Sequence, residues 1–564
     1  MEHLTQKLRV GILMCSFDIP AWAHVMLDRI KRSDYAQIVL VVLNDRPPGQ
    51  TRRQRGSGSR WDTWLYRLYT AFDRARYKPQ PDALEIRDAA CLLADVPTLK
   101  VVSRKTTQGD DWEDENIRRM EAYDIDVFIH LGSHIPGGRI LQVPRYGVWS
   151  YHYSGDVVNR HGPPGFWEVF KYHPTTESIL YLLSEGSDNG TVLCRSYSAT
   201  NRLSVELNRN NCLCKSLSFA PRKLAELHRI GGERFFSRAR KENGRIGSCA
   251  SNLCAMPRDR ELWAPLLRYA VWRVKTRFIS VFHSCQWILL FGLGDGVSTC
   301  FRMFKRLVPP RDRFWADPFV VQKSGLYYVF MEEFDYAKEK GHISVLTIDK
   351  NGNHTQPVKI LERPYHLSYP FVFEWDGSMY MIPESAGNRT LDVYRCTEFP
   401  QKWEFHKTLM KDVAAFDGTL LQHRGKWWLF VNIRENDGAS GSDELFLFYA
   451  DNPLADSWRH HPKNPVVSDV RRSRPAGKIF ERNGSLYRPS QNCSTRYGYG
   501  LKINQILVLS ETDYQEKEVD SIEPKWDKNI IGVHTFNQAG RLTVIDGLLK
   551  RPKLPWDKRG PYVW

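Results

Sequence analysis

The chain has 564 residues, too many for a single hydrophobic core, so its length predicts two or more domains. Apolar residues make up 42% of it and charged residues 26%, which excludes a mainly disordered protein. The formal net charge of +16 favours anionic partners such as sugar nucleotides, anionic glycans or lipid headgroups, and a solvated basic surface explains it equally well.

The start of the chain carries no pattern typical of a signal peptide. MEHLTQKLRVGILMCSF contains one short apolar run, which predicts a first β-strand. The apolar stretch at 287–297 is too short to cross a bilayer and contains Gly and Asp. The eleven cysteines are scattered, without a C-x-x-C pair or a His/Cys ligand array. These features predict no metal site and a cytoplasmic protein with reduced thiols.

Short apolar runs alternate with helix-like segments through residues 1–230. The runs at 8–14 and 124–135 predict strands of a parallel sheet covered by helices, as in Rossmann-like α/β domains. Open sheets of this type bind ligands where their strands end. His152 lies at the end of another run, at 146–154, so it is a candidate catalytic residue as well as an ordinary strand-end histidine.

Residues 124–195 resemble the formyltransferase fold of methionyl-tRNA formyltransferases and sugar N-formyltransferases. The matching segments are YGVWSYHYS, NRHGPPGFWEVF and SDNGTVLCRS. The resemblance implies N10-formyltetrahydrofolate as cofactor and His152 and Asp188 as catalytic residues. Ser150 stands where that family has an asparagine, whose amide would donate to the oxyanion. A serine hydroxyl reaches less far, so catalysis at this site is weakened, repositioned or lost.

Residues 231–304 are basic and predict a helical linker. In the segment 261–283 apolar residues recur at helical spacing, with arginine and lysine between them. Such a helix can dock peripherally on an anionic membrane, here at its inner face. Packing between two domains is the alternative.

Five segments of the second half share one pattern: an apolar strand, a polar turn with glycine, and a second apolar strand. Their turn glycines stand at one offset: Gly325, Gly377, Gly425, Gly484 and Gly540. Five such hairpins with further strands between them predict an all-β five-bladed β-propeller over 305–564. A β-sandwich of similar hairpins is the alternative.

Equivalent residues of a propeller converge on its axis, because rotation relates the blades. The first positions of the repeats are Asp317, Tyr369, Asp417, Ala476 and Gly532. The positions seven after each turn glycine are Glu332, Glu384, Asn432, Gln491 and Gly547. Carboxylates and amides have little reason to interrupt apolar hairpins unless they face solvent or a ligand. The pattern predicts a substrate-binding site made of Asp317, Glu332, Glu384, Asp417, Asn432, Arg474 and Gln491.

The propeller resembles two known groups of proteins. In five-bladed furanosidase and arabinanase glycosidases, the positions of Asp317 and Asp417 hold two of three catalytic acids. Ala476 stands at the third, which favours binding over hydrolysis unless Glu332 or Glu384 substitutes. A closer resemblance links 285–560 to the N-terminal propeller of plant glucosamine inositolphosphorylceramide transferases, on KRLVPPRDRFWADPFVV, YPFVFEWDGSMYMIPES and SRPAGKIF. It implies a glycan or glycolipid partner.

Three functions follow from these patterns. The first is an enzyme that transfers a formyl or related acyl or one-carbon group to an amino sugar, with the propeller binding the glycan. The second is a non-catalytic glycan-binding protein on two retained enzyme folds, and the third is a propeller glycosidase. Nucleic acid is disfavoured as a partner, because the basic residues are spread out and no RNA-binding motif is present.

Overall fold

The computed structural model describes residues 6–44, 63–106, 109–132, 136–153, 163–184, 190–243, 257–294 and 301–554. The chain divides into two units. One comprises Met1–Tyr269 with Asn436–Ser440, and the other comprises Ala270–Glu435 with Gly441–Trp564.

The first unit contains both strands and helices. Its strands are β1 (Leu8–Met14), β2 (Asp18–Pro20), β3 (Ala36–Asn44), β4 (Ile86–Asp88), β5 (Thr98–Val101), β6 (Arg104–Thr106), β7 (Gly109–Asp111), β8 (Val127–His130), β9 (Val148–His152), β10 (Thr175–Leu182) and β11 (Thr191–Ala199). Its helices are α1 (Ala21–Lys31), α2 (Trp64–Arg76), α3 (Asp114–Glu121), α4 (Phe166–Phe170), α5 (Val205–Ser216), α6 (Phe219–Ile230) and α7 (Gly232–Asn243). Helix α8 (Asp259–Phe282) begins in this unit and ends in the next.

A seven-stranded mixed sheet with the order β11-β10-β9-β8-β1-β3-β5 organises the first unit. The strands from β9 to β5 run parallel, whereas β10 is antiparallel to both of its neighbours. Helices α1, α6 and α7 cover one face of the sheet and α3 covers the other, so its central strands are almost continuously apolar. The strand order reverses between β1 and β8, and in open α/β sheets ligands bind at the carboxyl ends of the strands beside such a reversal.

The second unit is a five-bladed β-propeller, as the repeat pattern predicted. Four of its sheets follow one another along the chain. The first blade contains β14 (Arg313–Lys323), β15 (Leu326–Asp335), β16 (Lys340–Ile348) and β17 (Val358–Leu361), and the second contains β18 (Ser368–Trp375), β19 (Ser378–Glu384), β20 (Thr390–Glu398) and β21 (Lys402–Lys411). The third blade contains β22 (Ala414–His423), β23 (Lys426–Arg434), β24 (Glu444–Ala450), β25 (Arg459–His460) and β26 (Val467–Ser468). The fourth contains β27 (Phe480–Arg482), β28 (Ser485–Asn492), β29 (Gly500–Leu509) and β30 (Tyr514–Ile522).

The fifth sheet is assembled from distant parts of the sequence. It contains β12 (His283–Leu293), β13 (Lys305–Leu307), β31 (Phe536–Ala539) and β32 (Leu542–Pro552). Strand β12 pairs antiparallel with β32 along its whole length, from His283 opposite Pro552 to Leu293 opposite Leu542. The segment 231–304, which the sequence predicted to be a helical linker, thus provides α7, α8 and then a propeller strand. None of the described helices is long and apolar enough to span a bilayer.

Two-residue turns close the five predicted hairpins. In the second blade Trp375 pairs with Ser378, and the turn residues Asp376 and Gly377 both have positive φ, 47° and 67°. This is the geometry of a type I′ turn, whose twist matches that of the flanking strands. Glycine holds the second turn position in the first four blades.

The fifth hairpin is shifted by one residue against the other four. Ala539 pairs with Leu542, so Gly540 is the first turn residue there instead of the second. A shift of one residue moves side chains to the opposite face of a strand. An alignment on the turn glycines selects Gly532 and Gly547 in this blade, and a correction by one residue selects Val533 and Leu548. The polar residues that contact Asp317 are His534 and Asp546, which belong to neither set.

Candidate functional site: a polar cluster on the propeller axis

Irregular backbone directs two aspartates towards the axis. Asp317 lies in a break of the β14–β15 register between Ala316 and Phe319, and Asp417 lies in the equivalent break in the third blade. Both have positive φ, 51° and 54°. A bulge of this kind turns the strand and re-aims a side chain, and a non-glycine residue keeps a positive φ where its surroundings fix it. Both side chains are buried.

Arg474 connects two of the predicted carboxylates. Its Nε donates to Oδ2 of Asp417 over 2.6 Å, and its Nη2 lies 3.1 Å from both Oδ1 of Asp417 and Oε2 of Glu384. The amide of Gln491 donates to Asp417 as well, over 2.9 Å. The Arg474 guanidinium also lies about 5 Å from the ring centre of Phe416 and likewise of Tyr497. Four of the seven predicted binding residues therefore share one network.

A histidine joins the acids of the first and fifth blades. His534 Nδ1 contacts Asp546 Oδ2, and its Nε2 lies 3.5 Å from Oδ1 of Asp317. Thr535 donates to Oδ1 of Asp317 over 2.7 Å. The indole of Trp287, on β12, stacks on the imidazole with ring centres 4.1 Å apart. Sequence reasoning missed this group, because His534 and Asp546 do not stand at the repeat positions where the other blades carry their polar residues.

The remaining predicted residues, Glu332 and Asn432, lie on β15 and β23, the second strands of their blades, and each makes a separate contact. Oε1 of Glu332 is 3.4 Å from Nε2 of His366. Asn432 donates to the carbonyl of Gly441 over 3.3 Å. Its Oδ1 is buried and has no hydrogen-bond partner among the described residues. An unsatisfied buried acceptor of this kind is suited to a ligand hydroxyl or a water molecule.

Burial changes the protonation of the cluster. Burial raises the pKa of Asp317 to about 6, against the attraction of His534. Burial and the neighbouring carboxylates raise the pKa of Glu332 and of Glu384 well above the usual value. Burial alone would lower the pKa of His534, but Asp546 and Asp317 raise it above its usual value. The raised pKa values favour the protonated forms of these groups, and a protonated carboxyl can donate a hydrogen bond.

Exposure separates a closed part of the axis from an accessible one. The Tyr369 side chain is fully buried, and its hydroxyl contacts Thr419 Oγ1 over 2.9 Å and accepts from the Gly477 amide over 2.7 Å. Tyr497 is 43% exposed, although its ring lies against Arg474 and, edge to face, against His534 at 5.4 Å. An exposed ring beside buried acids can stack on a sugar. The signal in the sequence is the aromatic, glycine-containing loop RYGYG.

One group in the described part of the chain has the composition of a cation site. Asp317, His534 and Asp546 each offer a ligand atom, and these atoms lie within 4.8 Å of one another. A protonated His534 between two carboxylates satisfies the same geometry without an ion, and its raised pKa agrees with this arrangement.

The catalytic residues predicted in the first unit are only partly described. Ser150 is buried on β9, and its Oγ lies 3.1 Å from Nδ1 of His130 at the end of β8. His152 is buried two residues further along β9, on the same face as Ser150 because strand side chains alternate. Asp188 lies outside the described residues, so its proximity to His152 stays a prediction.

Comparison with known proteins places similarity in the propeller. Residues 290–540 match the family described as "Glucosamine inositolphosphorylceramide transferase 1, N-terminal". The transferase 1 of Arabidopsis thaliana is 35% identical over 209 residues, which cover 36% of this chain and 27% of the relative. That of Oryza sativa subsp. japonica is 34% identical over 210 residues, covering 37% and 28%. The chain thus spans about a quarter of the length of these relatives.

Solved structures similar to the chain include two glycoside hydrolases. A family 117 enzyme of Zobellia galactanivorans is 14% identical, with a TM-score of 0.31, over 50% of this chain and 94% of that one. The GH62 α-L-arabinofuranosidase of Coprinopsis cinerea is 11% identical, with a TM-score of 0.34, over 47% and 97%. By the family match over residues 290–540, the propeller of this chain is similar in sequence to the N-terminal region of the glucosamine inositolphosphorylceramide transferases.

Proposed function

We propose that the propeller axis binds the sugar part of a glycan or glycolipid, and that the chain is a transferase acting on that substrate. The observation that supports this is the cluster of Asp417, Glu384 and Arg474 beside the exposed ring of Tyr497. Carboxylates, an arginine and protonated acids offer both acceptors and donors to sugar hydroxyls, and a flat ring covers the apolar face of a pyranose. The relatives' names place them in glycolipid synthesis, which favours the same class of substrate.

Hydrolysis fits this site less well than binding. An inverting glycosidase needs a base and a separate proton donor on opposite sides of the scissile bond. Ala476 occupies the donor position of the fourth blade, and Glu384 is held by Arg474. We expect no release of nitrophenol from aryl glycosides above that of the Glu384→Gln variant. Turnover that Glu384→Gln abolishes would make the propeller a hydrolase instead.

Calorimetric binding tests the sugar site directly. The probes are glucosamine, N-acetylglucosamine, myo-inositol 1-phosphate and a sugar nucleotide, UDP-N-acetylglucosamine. We expect at least one to bind the full chain, and Tyr497→Ala to weaken it by about tenfold, ~1.4 kcal/mol. The matched control is Phe405→Ala, because this ring is also exposed but lies on β21. The proposal fails if no probe binds, or if both variants bind as wild type does.

A second candidate reaction concerns the first unit: formyl transfer to an amino sugar. It is supported by the Ser150–His130 contact at the carboxyl ends of β8 and β9, with His152 on the same face. The amine nitrogen would bond to the formyl carbon as the bond from that carbon to N10 of the folate breaks. His152 would carry the amine proton to N10, and Ser150 would donate to the oxyanion.

Folate binding and formyl transfer distinguish this reaction from a binding-only role. A stable folate, N5-formyltetrahydrofolate, should raise the melting temperature of the full chain, and His152→Asn should abolish transfer of labelled formyl from N10-formyltetrahydrofolate to UDP-linked amino sugars. If the wild-type chain shows no thermal shift with the folate and no formyl transfer, the first unit does not have this role.

A further inference from the structure

Helix α8 carries a row of large apolar side chains that no described residue covers. It is one continuous helix of 24 residues, and Leu262 is its one fully buried residue. Seven of its apolar side chains are between 52% and 71% exposed: Trp263, Leu267, Val271, Val274, Phe278, Val281 and Phe282. Soluble proteins rarely leave such a contiguous apolar surface in water, so this row indicates a binding surface.

The spacing of these residues places them on one face of the helix. They follow one another by three or four positions from Trp263 to Val281, which is the period of an α-helix. At 3.6 residues per turn they occupy an arc of about 100° and a length of roughly 30 Å. We name this row the α8 stripe. Tyr269, on another side of the helix, contacts the Tyr69 ring of α2 edge to face.

Cationic side chains border the α8 stripe on both sides. Arg268 and Lys275 lie along one edge and Arg277 along the other, and all three are exposed. Long basic side chains at the edge of an apolar face reach the phosphates of a bilayer while their methylene stems stay in the interface.

Helix α2 repeats the same arrangement beside the beginning of α8. Its Trp64, Leu68 and Phe72 follow one another by four residues and are 54% to 63% exposed. Exposed arginines lie on both sides of this row: Arg67, Arg74 and Arg76. The two helices are neighbours, because the Leu65 amide donates to the Asp259 carboxylate over 2.9 Å.

We propose that α8 docks this chain on the surface of an anionic phospholipid bilayer. The α8 stripe enters the boundary between headgroups and acyl chains, and the bordering arginines and lysine bind the lipid phosphates. The charges favour lipid over a second copy of the chain, because pairing two α8 stripes would bring like charges together at both edges. We expect the helix to lie in the plane of the interface, since it is not long and apolar enough to span a bilayer.

Co-sedimentation with vesicles tests the proposal. The full chain should bind vesicles of phosphatidylcholine with 30% phosphatidylglycerol at least tenfold more tightly than phosphatidylcholine alone, and 0.5 M salt should weaken the binding. The Val274→Glu/Phe278→Glu variant should lose at least tenfold in affinity. The matched control is Phe405→Glu/Leu507→Glu, which places the same charges on exposed apolar positions of propeller strands.

Two further measurements make the outcome decisive. Hydrogen exchange in residues 263–282 should slow on anionic vesicles, whereas exchange in β21 should not change. Equal binding by both double variants, or no preference for anionic lipid, overturns the proposal. It is also overturned if sedimentation velocity finds a dimer that Val274→Glu/Phe278→Glu converts to a monomer while the wild-type chain ignores vesicles.

Discussion

Arg474 meets Asp417 edge to edge, with Nε 2.6 Å from Oδ2 and Nη2 3.1 Å from Oδ1. This bidentate geometry fixes both side chains, and both are buried. The guanidinium is therefore the cation that compensates two acids, Asp417 and Glu384, in a part of the propeller that water scarcely reaches.

Removing that cation should destabilise the propeller strongly. Arg474→Met leaves the buried Asp417 without its bidentate counter-charge, at a cost of about 3–5 kcal/mol in the free energy of unfolding. Urea unfolding of the full chain measures the loss. Arg395→Met is the control, because Arg395 is exposed and its Nη2 donates to Ser378 on the surface, so it should cost less than ~0.5 kcal/mol. Similar losses in both variants would show that the pair is not coupled.

The propeller should lose stability as the pH rises from 5 to 7. The folded-state pKa of Asp317, about 6, lies above its usual value of 3.8. The stability that this shift contributes is therefore complete below pH 3.8 and is lost as the pH rises through about 6. Glu332, Glu384 and His534 have raised pKa values and act in the same direction. Each group contributes a slope of about 1.4 kcal/mol per pH unit within its window.

The matched variants for this pH dependence are Asp317→Asn and Asp376→Asn. Asp317→Asn should flatten the fall between pH 5 and 6, because the amide cannot titrate. Asp376→Asn changes an exposed turn residue and should leave the profile unchanged. Thermal unfolding in a pH series measures both, and a stability that rises from pH 5 to 7 would contradict the prediction.

In the first unit, Ser150→Ala should cost more than Ser178→Ala. Both serines are buried on neighbouring strands, but Ser150 contacts His130, whereas the Ser178 hydroxyl has no partner in the described part of the chain. Losing one buried hydrogen bond costs about 1 kcal/mol, with more if His130 is left unsatisfied. Chemical denaturation compares the two variants, and equal values would argue against a structural role for the Ser150–His130 contact.

Trp287 should support the sugar site from β12. Its indole stacks on His534, so Trp287→Ala should cost about 3–5 kcal/mol and weaken the binding of any sugar probe. Trp263→Ala removes an exposed indole in α8 and should leave both properties unchanged. Chemical unfolding and calorimetry measure the two effects. If Trp287→Ala binds the sugar probe with wild-type affinity, His534 is not part of the sugar site.

The propeller could be predicted because its signals are local. A glycine at positive φ in a two-residue turn, between alternating strands, marks each hairpin within about 17 residues. The acids on these hairpins interrupt apolar strands, so Asp317, Asp417 and Glu384 were visible as well. Arg474 was predicted to belong to the same site, and the structure brings it to two of these acids, Asp417 and Glu384.

The residues that sequence reasoning missed depend on pairing over long distances. Nothing local shows that residues 283–293 pair with 542–552, so Trp287 was assigned to a linker. His534 and Asp546 were missed because they lie outside the two positions that the repeat alignment compares, even after the last hairpin is corrected for its one-residue shift. In the first unit, the carboxyl ends of the strands were predictable, but the partner of Ser150 was not, because it comes from the neighbouring strand β8.

The pairing of β12 with β32 determines when the propeller can be completed during synthesis. The blades from β14 to β30 can form in order as the chain leaves the ribosome, whereas β12 must wait until the last strand has been made. Until then an eleven-residue apolar strand has an unpaired edge. Nascent chains that stop before residue 542 should therefore depend on chaperones, and recombinant fragments that begin at residue 305 should aggregate through the exposed edge of β32.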